Sequence, residues 1–212
     1  MKMATKIGVV ALALVAACGV ANADPVTLGF TRITNNASVN PEAQFSVIVS
    51  DAGGGLVDFK FLNNVGIASS ITDVYFEDGT LLAIAQITSS SGVSFSEGAT
   101  PGNLPGGNAV NFLATTGFTA DSNPPVAPNG VNTATEWLNI RYSLQSNQTF
   151  NDTIASLMNG SLRIGMHVQA IGTQGQSDGF VNQPPTVVIP LPTTAGLALA
   201  GLGAVAIRRR RK

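Results

Sequence analysis

Short runs in which apolar and polar residues alternate, each closed by Gly, Pro or Asn, fill the chain from Asp24 to about Pro185. A period of two puts successive side chains on opposite faces of a strand, so this pattern dictates half-buried β-strands joined by turns. In one run Phe45, Val47 and Val49 alternate with Ser46, Ile48 and Ser50. In the next, Val57, Phe59 and Phe61 alternate with Asp58, Lys60 and Leu62. The connection Asp51-Ala52-Gly53-Gly54-Gly55 suits a hairpin. A second hairpin is predicted where Asp78-Gly79 separates two apolar runs, because that dipeptide supplies the positive φ angles of a type I′ turn.

Residues 89–108 and 121–132 are rich in Gly, Pro, Ser and Asn and read as long loops, the first with one short strand at Val93 to Phe95. Residues 109–120 between them read as a strand. After the loops, Leu138, Ile140, Tyr142 and Leu144 share one face of a strand, with Trp137 and Arg141 on the other. One short helix is predicted, with Thr149 as N-cap, Asp152 completing a capping box, Ile154, Leu157 and Met158 as its apolar stripe and Asn159-Gly160 as its stop. A last strand places Leu162, Ile164, Met166, Val168 and Ala170 inward and Arg163, His167 and Gln169 outward. Roughly eight to ten strands at this spacing predict an all-β domain, a β-sandwich or jelly-roll carrying one short helix.

The formal net charge of −1 conceals an asymmetry. Lys2, Lys6 and the five basic residues at the C-terminus leave only Arg32, Lys60, Arg141 and Arg163 to face all 12 acidic residues, so the middle of the chain carries −8. A surface of that sign disfavours nucleic acid, and no nucleic-acid partner is expected.

Candidate chemistry is sparse. His167 is the single histidine, so any triad or imidazole metal site has to use it, yet its phase reads as a solvated residue on a polar sheet face. His-Glu-x-x-His and Gly-x-x-x-x-Gly-Lys are missing from the sequence, and neither an enzyme nor a cofactor is expected. Asp73, Glu77 and Asp78 are calcium-ligand candidates around the Asp78-Gly79 turn, but a plain solvated turn accounts for them and no metal is expected. Trp137, facing outward, is a candidate platform for a sugar ring, set against the simpler role of packing beneath a loop.

The two ends carry address information. Lys2 and Lys6, the apolar run from Ile7 to Ala17, and Ala21-Asn22-Ala23 have the order of a secretory signal peptide over residues 1–23, cut by signal peptidase after Ala23. Val15-Ala16-Ala17-Cys18 offers a lipoprotein alternative in which Cys18 becomes the lipidated first residue. Cys18 is the only cysteine, so a cut after Ala23 leaves a mature chain without disulfides, held by the core of residues 24–185.

Residues 186–212 end the chain in three parts. These are Pro190-Leu191-Pro192, a helix over about 193–207, and the basic tail Arg208, Arg209, Arg210, Arg211 and Lys212. Ala195 to Ile207 makes a helix of about 20 Å at 1.5 Å per residue, short of a hydrocarbon core of roughly 30 Å. The basic cluster would stay cytoplasmic, so the segment would tether a translocated chain to the inner membrane transiently.

This ending resembles the PEP-CTERM sorting signals of Gram-negative bacteria, with Leu191 in the place of the central Glu. The resemblance implies an exosortase that acts near the signature, removes the tail and passes the protein to the cell surface or to extracellular polysaccharide. The stretches "VYFEDGTLL", "GNLPGGN", "EWLNIRYSL" and "GSLRIGMHVQ" look like ectodomains that accompany such signals. The expectation is therefore a non-enzymatic surface or matrix protein, structural or adhesive in the envelope or biofilm. A carbohydrate-binding module is the alternative. Leu191-Pro192-Thr193-Thr194-Ala195 also looks like the Leu-Pro-x-Thr-Gly motif of sortase substrates anchored to cell walls, with Ala195 at the Gly position.

Overall fold

The computed structural model of the chain describes residues 23–184. Apart from Ala23, the expected signal peptide, Cys18 and the whole expected sorting signal lie outside the described residues. Ten strands form in order: β1 (Val26–Arg32), β2 (Phe45–Gly53), β3 (Leu56–Asn63), β4 (Ser70–Glu77), β5 (Leu81–Ser89), β6 (Phe95–Glu97), β7 (Thr119–Ser122), β8 (Trp137–Leu144), β9 (Arg163–Ile171) and β10 (Gln176–Asn182). Two short helices, α1 (Val126–Asn129) and α2 (Phe150–Asn159), interrupt them. Among the described residues no helix is long and apolar enough to cross a membrane.

The strands make one antiparallel, nearly closed sheet in the order β5-β8-β3-β2-β1-β10-β9-β4-β7-β6. The expected all-β class holds. The turning point is β1, whose first half, Val26 to Gly29, pairs with β2 while Phe30 to Arg32 pair with β10. The two halves of the sheet therefore face each other across a common core. Phe76 of β4 meets Phe59 of β3 edge-on at 4.9 Å and Tyr142 of β8 at 4.7 Å, although four strands lie between β4 and β3 within the sheet and five between β4 and β8. Phe45 and Phe180 make a similar contact at 5.1 Å.

The alternation of β2, β3 and β8 is as expected, with Val47, Val49, Val57, Phe59, Phe61, Leu138, Ile140 and Tyr142 buried. The β2–β3 hairpin forms as read, and Gly53, Gly54 and Gly55 all have positive φ in its turn. The Asp78-Gly79 hairpin does not form. β4 lies between β9 and β7, whereas β5 pairs with β8 in the opposite half, so Asp78-Gly79 is a crossover between the halves. Gly79 is absent from the positive-φ glycines, and its lack of a side chain serves packing, since a Cβ there would lie 2.9 Å from Leu162 Cβ.

Other boundaries differ too. The strand expected over residues 109–120 is replaced by a 3₁₀ turn over Gly107–Val110, a run of turns, and β7. The short strand expected at Val93 to Phe95 forms at Phe95–Glu97. The capping box between Thr149 and Asp152 forms, and Gly160 ends the helix in the left-handed region. The buried face of α2, however, is Phe150, Thr153 and Leu157, and Met158 is 48% exposed. In β9, Ala170 adopts φ +53, which breaks the strict alternation and gives its expected inward place to Ile171.

Candidate functional site

The outward face of the β9-β4-β7 half carries most of the polar chemistry. Cross-strand register sets three rungs there, Asp73 with His167, Tyr75 with Gly165, and Glu77 with Arg163. β7 adds Asp121 directly opposite Asp73 on the other side. This face is covered. Residues 98–114, which hold no charged side chain, run across it as a strap that buries Leu104 and Phe112 against Tyr75 as a second small core. Gly165 makes room for that cover, since a Cβ there would sit 2.8 Å from Leu104 Cδ2 and 3.0 Å from Phe112 Cζ.

Each end of the strap is tied by polar contacts. At one end Arg163 ion-pairs with Glu77 and donates to the carbonyls of Val110 and Asn111. At the other, the Tyr75 hydroxyl donates to Pro101 O at 3.1 Å and the Gly98 N–H to Thr119 O at 2.8 Å. Burial, reinforced by the charges of Asp73 and Asp121, pushes the Tyr75 phenol far above its ordinary value, so it stays protonated as a donor.

His167 Nδ1 lies 2.9 Å from Asp73 Oδ2, with side-chain exposures of 12% and 2%. The reading of His167 as a solvated residue is thus corrected: its strand phase is outward, but its side chain is largely buried against Asp73 on a face that the strap crosses. The Thr72 hydroxyl donates to the same Asp73 oxygen at 2.9 Å. Two polar groups therefore converge on one oxygen of Asp73. Across the strand pair from Asp73, burial together with the Asp73 charge pushes Asp121 up to about 6. Beyond Asp121 opens a cleft of about 310 Å³ bordered by Ser96, Glu97, Thr100 and Asn123.

The three calcium candidates are not brought together. Asp73 is committed to His167 and Glu77 to Arg163, and burial raises the pKa of Asp78. Among the described residues no group of three or more His, Cys, Asp or Glu is placed to hold a metal ion. Asp78 Oδ1 is buried without a partner.

Trp137 faces outward as read, on the opposite half of the sheet, with Lys60 Nζ 4.8 Å from its ring centroid. Next to it Arg141 holds Asp58 through two bonds of 2.7 Å, which lowers the Asp58 pKa, and Asn139 donates to the same carboxylate. Among the described residues Lys60 is the one basic side chain without a carboxylate partner, since Arg32, Arg141 and Arg163 pair with Asp178, Asp58 and Glu77.

Asp121 is the residue that reading the sequence misses. It opens a stretch that reads as loop, and only the pairing of β7 with β4 sets it against Asp73. No family model, curated protein or solved structure matches the chain.

Proposed function

We propose that the chain is a non-enzymatic exported protein of the cell surface or extracellular matrix, cut by signal peptidase after Ala23 and released from its tail by an exosortase near Pro190-Leu191-Pro192. The carrying observation is the ending itself, a Pro-x-Pro signature, a short apolar segment and five basic residues. Its folded-over sheet is read as a β-sandwich-like ectodomain. The domain's anatomy supports this reading. β1 begins at Val26, β10 ends at Asn182, and the two run antiparallel side by side, with the Gln183 N–H donating to Gly29 O at 2.9 Å. Both ends of the domain therefore leave from the same end of the β1-β10 pair. Cuts after Ala23 and near Pro190 would spare every strand.

Fractionation of an exosortase-bearing Gram-negative host, blotted against the ectodomain, tests this. Replacing Arg208 to Lys212 with Ser or Gln should send uncut protein to the periplasm, because several charges no longer resist translocation. Altering Pro190-Leu191-Pro192 should leave uncut protein in the inner membrane. The same distribution for both variants and the wild type, each keeping its full tail, would make the ending a permanent anchor and overturn the proposal.

One observation favours a second reading, glycan binding at the outer face of β3 and β8. There the indole of Trp137 stands beside Lys60, the one basic side chain free of a carboxylate among the described residues. Retardation of the exported protein in glycan-containing native gels, lost in Trp137→Ala, would support it.

A further inference from the structure

Asp73 and Asp121 are direct cross-strand partners of β4 and β7 at the edge of the covered face, so their carboxyl groups are neighbours. Two carboxylates held opposite each other repel unless one of them carries a hydrogen. Asp73 Oδ2 is already taken by the Thr72 hydroxyl and His167 Nδ1, so the hydrogen belongs on Asp121. The strap is joined to both strands of this pair, since the Gly98 N–H donates to Thr119 O of β7 at 2.8 Å and the Tyr75 hydroxyl of β4 donates to Pro101 O.

We infer that Asp73 and Asp121 form a proton-controlled latch, in which one shared proton holds β7 and the Gly98–Pro101 end of the strap against β4, and loss of that proton drives the carboxyls apart and loosens this end.

The surroundings make repulsion the outcome of deprotonation. From β6, Ser96 pairs opposite Asp121, and Glu97 next to it borders the same cleft with a further negative charge. From β9, His167 faces Asp73 and not Asp121, and Gln169 Nε2 reaches His167 at 3.5 Å. From β4, Tyr75 is the next side chain on the face and remains a neutral phenol. β10 contributes only Gly179 opposite His167, and the strap is uncharged. The nearest arginine along the face is Arg163, which Glu77 already holds, so among the described residues no free positive charge stands ready to take over from the proton. The fastenings at the far end of the strap, Arg163 to the carbonyls of Val110 and Asn111, do not involve Asp121, so the loosening is confined to one end. The desolvated position of Asp121, which pushes it up to about 6, puts the transition between mildly acid and neutral conditions. This inference is independent of how the chain is sorted.

Carbon-13 NMR of the Asp121 carboxyl in the full chain, combined with amide hydrogen exchange, tests it. The carboxyl should titrate with a midpoint near 6. After correction for intrinsic rates, the amides of residues 98–101 and 119–122 should exchange about tenfold faster at neutral pH than in mild acid, where the latch is closed. Those of β2 and β3 should not change. Asp121→Asn, which keeps a donor toward Asp73 without a charge, should stay slow at both pH values. Asp73→Asn should lower the Asp121 midpoint and abolish the pH response, which provides a second reading if the first variant folds poorly. An Asp121 midpoint near the ordinary value of about 4, or an unchanged pH response in Asp121→Asn, would overturn the latch.

Discussion

His167 Nδ1 sits 2.9 Å from the nearly inaccessible carboxylate of Asp73, and the two residues face each other across β4 and β9. This contact ties the most buried acid on the outer face of that half to the chain's single histidine. His167→Ala should therefore be destabilising by about 1–3 kcal/mol, because it strands a buried carboxylate that has lost one of its two donors. His167→Gln, which keeps an N–H, should recover part of the loss. Urea unfolding of the three proteins measures this, and a change within about 0.5 kcal/mol for the alanine variant would mean that His167 behaves as a surface residue.

Gly179 tests the closeness of the strap. A Cβ at this position would lie 2.3 Å from Pro105 O, a backbone atom that cannot rotate away. Gly179→Ala should lift the strap, cost about 1–3 kcal/mol and speed amide exchange over residues 98–114. Unaltered exchange there would show that the strap does not bear on β10.

The aromatic centre should dominate the stability of the main core. Phe76 contacts Phe59, Phe61 and Tyr142 from the facing half of the sheet, so Phe76→Ala should cost about 3–5 kcal/mol. Met158, although apolar and on the helix, is 48% exposed, and Met158→Ala should stay within about 0.5 kcal/mol. Thermal unfolding distinguishes them, and similar losses would contradict the assignment of the helix face.

Stability should depend on pH with opposite signs on two limbs. The pKa of Asp58 is lowered, chiefly by its hydrogen bond from Arg141, so its contribution is complete above the unfolded value of 3.8 and fades as pH falls through the lower folded value. Asp121 is raised, so the folded state holds its proton more tightly. The stability this confers is complete below the unfolded value of 3.8 and disappears as pH rises to about 6. Tm should therefore decline from pH 4.5 or so toward 6.5 and then level off, a decline that Asp121→Asn removes and Asp58→Asn leaves in place. A rising Tm across that window in the wild-type protein would refute the assignment.

Much of the local structure is legible in the chain. The period-two faces of β2, β3 and β8, the three-glycine turn of β2–β3 and the Thr149–Asp152 cap each depend on residues a few positions apart, where sterics and hydrogen bonding act without tertiary help. β10 escapes notice because its run, broken by Gly179, alternates poorly, whereas β1 alternates Val26, Leu28 and Phe30 against Thr27, Gly29 and Thr31.

What the sequence by itself determined is that the runs of β2, β3, β4, β5, β8 and β9 become strands, which faces of β2, β3 and β8 are apolar, and the order of charged and apolar segments at the two ends, since all of these are properties of near neighbours along the chain. Which strand lies beside which was decided only in three dimensions. The runs on either side of Asp78-Gly79 are strands, as their pattern says, yet the burial of Phe76 and Leu81 in one core is satisfied with the chain crossing between facing halves and not with a hairpin. The same holds for the covered face. The phase of His167 points it outward, but an aperiodic strap covers that face and β7 brings Asp121 against Asp73. An alternating pattern tells a side chain which way to point, and the rest of the fold determines whether water or another segment is there to meet it.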